Sequence, residues 1–383
     1  MKIALYSHTG HLGNGGAKSL LSIVDALSTK HNCLVITRDK GALNKALTDK
    51  NIPNKVLPYV WSSNFDNILS FKKPRKSFRL VGHWVKAFFF NKRALKKHIL
   101  YLKDFNPEVI YTNTSVINMG ALVAKELKIP HVWHLREFQT VDSNLTPDFG
   151  WRYFKKTLRK TDLIIANSRA LKNFYGQYVA EHKINVVHNG IETQHISIST
   201  TINSVYVFLM VGTLMNIKGH EEAILAAKKL VDKGYNFKIN IVGSGPLKKH
   251  LKKIISKLNL QEIVILHGQK TQVAHFYNTA DCYLMCSSSE AFGRVTVEAM
   301  LHKLPVIGKI GVYSATNEII RDTIDGLLYT NFDELVLKME QLIRNNKRGM
   351  AMGEEGYNRA VQNFSLAKSV ENINQILMKL AND

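Results

Sequence analysis

The sequence predicts an α/β chain made of two doubly wound, Rossmann-like domains. Short apolar runs alternate with helical patterns from end to end, as parallel sheets with crossover helices require. The alternation completes once in the first half and restarts in the second. A length of 383 residues, 45% apolar and 21% charged, suits two cores of ordinary size.

In the first half, strands read at 2–8, 33–38, 109–113, 131–136, 163–168 and 184–190, with helices at 16–30, 41–50, 83–104, 117–128 and 151–160. The second series has strands at 207–214, 237–243, 263–268, 282–287, 305–309 and 325–329. Its helices read at 220–233, 246–258, 271–280, 292–302 and 333–345. The polar run 193–204 is the natural linker, separating a domain over 1–195 from one over 203–363. The stretch 364–383 reads as a closing helix that returns toward the first domain. In such an architecture the expected ligand site is the cleft between the domains.

Composition narrows the class. Cys33, Cys282 and Cys286 make no even framework, so buried free thiols in a reducing compartment are expected. The opening MKIALYS is too short for a signal-peptide core, and no apolar run approaches the roughly 20 residues that span a bilayer. The expectation is a cytoplasmic protein. The net charge of +22 is uneven: residues 1–200 hold 30 Lys and Arg against 13 Asp and Glu, and residues 201–383 hold 22 against 17. The first half therefore meets something anionic.

The densest stretch is 67–103, with eleven basic residues and no acidic one. Lys72, Lys73, Arg75, Lys76, Arg79, Lys92 and Arg93 alternate there with Trp84, Phe88 and Phe89, and with Phe71, Phe78 and Phe90. Aromatics among cations fit reversible docking on an anionic membrane. The same composition leaves open a single-stranded nucleic-acid surface, or a half-buried basic helix whose aromatics are core. Docking is the reading taken, at the inner face of the cell membrane.

The candidate chemistry gathers at SSSEAFGRVTVEAM, where Glu290 and Glu298 flank Phe292-Gly293-Arg294-Val295. A helix N-terminus beside a glycine binds anions, because free backbone N–H groups and the dipole point at them. Acids on either side can hold hydroxyls around a bound diphosphate, which is what gripping a nucleotide-sugar requires. The spacing alone is common by chance; its context gives it weight. Gly15-Gly16 lie in a glycine-rich loop that opens the first helix, in a spacing unlike the dinucleotide fingerprint. His134 ends a strand in HLREF. Lys218, in VGTLMNIKGH, follows a strand and is read as opening a helix, placed to neutralise phosphate. Gly243 and Gly245 in VGSGP, and Gln269 in HGQ, sit at strand ends.

Taken in order, these segments resemble the retaining nucleotide-sugar glycosyltransferases of family 4, which have the GT-B fold. The resemblance spans nearly the whole chain. It is strongest over 207–300 and weakest over 50–105, the region that varies with acceptor in this family. It implies that Gly15 and Gly16 face the donor diphosphate and sugar, and that His134 touches the transferred sugar. It further implies that Glu290 contacts sugar hydroxyls, that Glu298 grips the ribose, and that Gly243, Gly245 and Gln269 hold the base. ANS (166–168) and VHNGIE (187–192) match as cleft lining and domain junction.

One departure stands out. The family pattern has Arg directly after the glycine of the Lys218 segment, and here that position is Thr213. Arg294 is the candidate to supply the lost charge. The resemblance implies same-face transfer of a hexose or N-acetylhexosamine, a UDP-linked donor being favoured, to a glycan or lipid-linked acceptor without a cofactor. No D-x-D occurs, so a metal-held diphosphate is not expected. The alternative is a non-catalytic basic protein that binds nucleic acid or anionic lipid.

Overall fold

The computed structural model describes residues 1–13, 15–65, 74–142, 145–193 and 204–382, the side chains of 65, 74–79 and 382 excepted. The chain divides into two compact units, Met1–Gly190 with Leu366–Asp383, and Ile191–Ser365.

The first unit is a parallel seven-stranded sheet. Its strands are β1 (Lys2–Ser7), β2 (Asn32–Thr37), β3 (Asn54–Val56), β4 (Val109–Asn113), β5 (His131–Leu135), β6 (Leu163–Ala166) and β7 (Ile184–Val186). The order is β3-β2-β1-β4-β5-β6-β7. These strands are apolar runs because both faces are covered. Ile3 and Leu5 face helix Gly15–Ser28 and the closing helix Leu366–Asn382, which contributes Ile373 and Leu377. Ala4 and Tyr6 face the other way, toward Leu102 of helix Pro74–Phe105 and Val123 of helix Met119–Leu127. That alternation is the period-2 rule of a strand.

The second unit is a parallel six-stranded sheet of β8 (Tyr206–Val211), β9 (Phe237–Val242), β10 (Val264–Gly268), β11 (Cys282–Met285), β12 (Val306–Lys309) and β13 (Gly326–Tyr329). Its order is β10-β9-β8-β11-β12-β13. Phe208 and Met210 pack on helices His220–Asp232 and Phe332–Arg344, and Leu209 packs on helix Arg294–Leu301 and on Phe364. In both sheets the order reverses beside the first strand, and ligands of such folds bind outside the carboxyl ends of the strands at that point.

The elements differ from expectation in several places. β3 is an edge strand of three residues that the pattern does not reveal. The basic helix is longer than 83–104, spanning Pro74–Phe105 with its proline at the favoured first position. Helices Arg169–Gly176 and Asn346–Phe364 also appear. Most of the expected linker, 194–203, lies outside the described residues, as do Lys72 and Lys73 and the side chains of Arg75, Lys76 and Arg79. The three cysteines are free and buried. Burial pushes the Cys33 and Cys286 thiols up to about 12.

Candidate active site

In the second unit the loops after β8 and β11 carry the charged residues. Glu290 lies in a two-residue strand, Ser289–Glu290, paired with Tyr313–Ser314. The backbone of Ala315 donates to its carbonyl at 2.9 Å. Lys218 does not open the α-helix, which begins at His220; it ends the 3-10 turn Asn216–Lys218. The Ser288 N–H donates to the Ile217 carbonyl at 2.9 Å, tying that turn to the Glu290 strand. The Lys218 ammonium donates to the Glu290 carboxylate at 2.6 Å.

Gly293 caps helix Arg294–Leu301 with φ +85°, the left-handed region that favours glycine. A Cβ there would stand 3.1 Å from Thr296 Oγ1 and 3.2 Å from Glu290 Cγ. One turn into the helix, Glu298 accepts from the Tyr277 hydroxyl at 3.2 Å, and Arg294 Nη2 lies 3.8 Å from its carboxylate. Arg294 is thus beside the glycine and engaged with Glu298. Phe292 is buried and packs on Phe364, so it offers a ligand only backbone, whereas Val295 is partly buried against the same core.

The remaining strand-end positions form a frame. Gly243 has φ +153°, and its Cβ would lie 1.8 Å from the Gly212 carbonyl oxygen. A Cβ at Gly245 would lie 2.6 Å from the Leu214 carbonyl, and Leu214 donates to the Ser244 carbonyl at 3.1 Å. The turns after β8 and β9 are therefore in backbone contact. Gln269 is exposed directly after β10, and Thr213 is exposed after β8.

In the first unit, His134 is 1% exposed near the carboxyl end of β5. Its Nδ1 meets the Tyr111 hydroxyl, and Arg136 Nη2 lies 3.3 Å away. Guanidinium only donates, so Nδ1 accepts and the proton of the neutral ring sits on Nε2. That Nε2 has no hydrogen-bond partner among the described residues. Burial first, and Arg136 second, hold the His134 pKa well below the ordinary histidine value.

Sequence reasoning did not single out the group around His134. Arg136 is buried; its Nε donates to Asn113 at 2.5 Å, and its Nη1 donates to Asn189. Asn113 in turn donates to the Gly16 carbonyl at 3.1 Å, in the first turn of helix Gly15–Ser28. Gly15 itself is exposed at that helix start. Glu137 accepts from the backbone of Arg136 at 2.9 Å and of Ser115 at 3.3 Å. The available signal was positional: Asn113, His134, Asn167 and Asn189 are buried polar residues at or just beyond the carboxyl ends of successive strands.

Two family models match the chain, Glycosyltransferase Family 4 over residues 13–195 and Glycosyl transferases group 1 over residues 193–359. Together they span residues 13–359, and the chain is a family 4-like glycosyltransferase of GT-B fold. This glycosyltransferase is 28% identical to an uncharacterized glycosyltransferase of Methanocaldococcus jannaschii, over 87% of the chain and 91% of that protein. It is 26% identical to an alpha-monoglucosyldiacylglycerol synthase of Acholeplasma laidlawii, over 97% and 94%. The fold of Anabaena HepE, solved in complex with UDP-glucose, matches with a TM-score of 0.78 at 20% identity, over 99% and 100% of the two chains. Membership favours an enzyme over a non-catalytic basic binding protein.

The long basic helix turns three consecutive phenylalanines toward solvent. Ala87, Ala94, His98 and Leu102 form its buried stripe, while Phe88, Phe89 and Phe90 are 53%, 59% and 44% exposed. The half-buried alternative is overturned for these three phenylalanines. Trp84 is partly buried, and Lys92 and Arg93 are exposed. No helix among the described residues is long and apolar enough to cross a membrane.

Proposed function

We propose that this glycosyltransferase moves a hexose or N-acetylhexosamine from a UDP-sugar to a hydroxyl of a lipid-linked or surface glycan, with retention and without a metal ion. The observation that carries the reading is the Lys218–Glu290 pair beside the left-handed glycine that opens helix Arg294–Leu301. Cation, acid and free N–H groups stand together where a sugar diphosphate needs them. A UDP donor is supported by the UDP-glucose complex of the Anabaena relative in fold.

In this reading Lys218, Arg294 and the helix N-terminus stabilise the departing diphosphate. Glu290 orients the sugar hydroxyls and Glu298 the ribose. Gly243, Gly245 and Gln269 line the base. In the first unit Gly15 and Gly16 serve the diphosphate, and His134, with its unpartnered Nε2–H, serves the sugar. The bond from the anomeric carbon to the diphosphate oxygen breaks, and its electron pair leaves with the phosphate. The acceptor oxygen bonds the same face of that carbon and gives its proton to the departing phosphate. Protein charge stabilises the oxocarbenium-like sugar throughout.

An acceptor at the inner face of the cell membrane is the reading supported by Phe88, Phe89 and Phe90, which the basic helix exposes among lysines. The Acholeplasma relative's name, alpha-monoglucosyldiacylglycerol synthase, supports a lipid-linked acceptor. The test is a panel of nucleotide-sugars read by thermal shift and donor hydrolysis. A UDP-sugar raises Tm and is hydrolysed, and Glu290→Ala abolishes hydrolysis; a panel without any hit overturns the reading.

A further inference from the structure

A cavity lies in the first unit and is lined by none of the candidate site residues. It has a volume of about 530 Å³ and opens between helix Met119–Leu127 and helix Gly150–Arg159. His131 and Asp162 line it at the amino ends of β5 and β6, whereas His134 lies near the opposite end of β5. Ligands of the reaction belong at the carboxyl ends, so this cavity needs another occupant.

Its lining is amphipathic. Leu122, Ile129, Pro130 and Tyr153 supply apolar wall, and Lys125, Lys128, Lys156 and Lys160 supply charge. Lysines at helix C-termini ordinarily offset the dipole, and Lys128 and Lys160 are the C-caps of these two helices. Each terminus carries only about half a negative charge, so two termini account for roughly one of the four lysines. Lys125 shares its charge with Glu126 at 4.0 Å. No carboxylate among the described residues pairs with Lys128, Lys156 or Lys160. Asp162, the one acid in the lining, accepts the His131 backbone N–H at 2.8 Å. With Asp162 and Glu126 counted against the four lysines, a surplus of about one positive charge remains beside apolar wall.

The cavity also joins the exposed aromatic surface. Tyr153 in its wall lies 5.6 Å from Phe149, whose ring lies 6.5 Å from Phe88 and 5.7 Å from Trp84. Side chains suited to the membrane interface therefore lead to a cationic pocket. We infer that the pocket holds the phosphate headgroup of one anionic membrane phospholipid, its chains running along Tyr153 and Phe149 toward the bilayer. This rests on the membrane-docking part of the function proposed above and adds a stoichiometric lipid site to it.

A short-chain lipid below its micelle concentration separates the pocket from surface attraction, since it offers no surface. Dihexanoylphosphatidylglycerol raises the Tm of the full chain; dihexanoylphosphatidylcholine and inorganic phosphate at equal concentration do not. Lys128→Ala with Lys160→Ala weakens that binding by about tenfold or more and keeps the thermal shift with UDP, which shows an intact fold. Phe88→Ala with Phe89→Ala keeps the monomeric lipid but loses sedimentation with vesicles containing phosphatidylglycerol. If vesicles bind and the monomeric lipid does not, the pocket is wrong and docking stands. If the monomeric lipid binds and vesicles do not, docking is wrong and the pocket stands. Equal effects of the two lipids, a matching effect of inorganic phosphate, or unchanged binding by the lysine variant each overturn the site.

Discussion

The Lys218 ammonium and the Glu290 carboxylate meet at 2.6 Å across 72 positions of sequence. Their loops follow β8 and β11, the two strands that flank the order reversal of the second sheet. The side chains are 30% and 17% exposed, and a partly solvated pair of this kind contributes only about 0–1 kcal/mol to stability. In the proposed function its consequence is that Glu290 holds the cation until a diphosphate competes for it. Lys218→Ala lowers kcat/KM for the UDP-sugar by about a hundredfold or more with little change in Tm. Glu290→Ala releases the ammonium, so UDP affinity is kept or tightened while transfer collapses. Calorimetric titration with UDP checks this; equal losses of affinity in both variants contradict the division of labour.

Arg294 is the cation proposed to replace the Arg absent at Thr213. It stands one residue beyond the left-handed glycine and lies 3.8 Å from Glu298. Arg294→Ala weakens UDP binding by about tenfold, the scale of a lost charge-assisted contact. Thr213 is exposed and directly follows Gly212. Thr213→Arg in the Arg294→Ala background restores much of that affinity, and in the wild-type background adds less. Additive effects in this double-mutant cycle show that the two positions do not substitute for one another.

The buried parallel strands were legible because they are apolar on both faces, so most strand bounds match to within about two residues. β3 escaped because Asn54, Lys55 and Val56 form a short edge with no apolar run. Helix Asn346–Phe364 escaped because it carries Gly349, Gly353 and Gly356, poor helix formers. Those glycines let it approach a neighbour: a Cβ on Gly353 would meet the Lys303 carbonyl at 1.9 Å. At the site, Glu290, Glu298 and Lys218 were legible from the local setting of each. Arg136 with Asn113 and Asn189 was not, because their meeting depends on parallel register. Asn113 pairs with His134 only once β4 and β5 align. A polar residue at one strand end otherwise reads as an ordinary turn.

The two glycines with positive φ described above predict different defects. Gly293→Ala places its Cβ against Thr296 Oγ1 and Glu290 Cγ, side-chain atoms that can give way. The left-handed backbone costs about 1–2 kcal/mol, and the displaced Glu290 lowers kcat more than Tm. Gly243→Ala meets the backbone carbonyl of Gly212 at 1.8 Å, which cannot move without breaking the contact between two turns. That variant loses more thermal stability than Gly293→Ala. Thermal denaturation and donor hydrolysis measured on both variants check the order; a Gly243→Ala protein as stable as wild type contradicts it.

Glu137 gives the fold a pH dependence. Burial, and then the neighbouring Asp142, push its carboxyl from 4.5 up to about 7, against the opposing N–H groups of Ser115 and Arg136 and the Arg136 charge. The folded protein therefore holds this proton to higher pH than the unfolded chain does. The stabilisation is fully present below about pH 4.5 and is lost as pH rises through 7. Discounted for residual solvent contact, it amounts to about 1–2 kcal/mol. Glu137→Gln has an uncharged amide whose oxygen can still accept both N–H groups, so it removes the loss. Its Tm relative to wild type rises between pH 5 and pH 8, by the wild type's own decline. Tm curves that run parallel across this range show that Glu137 does not titrate there.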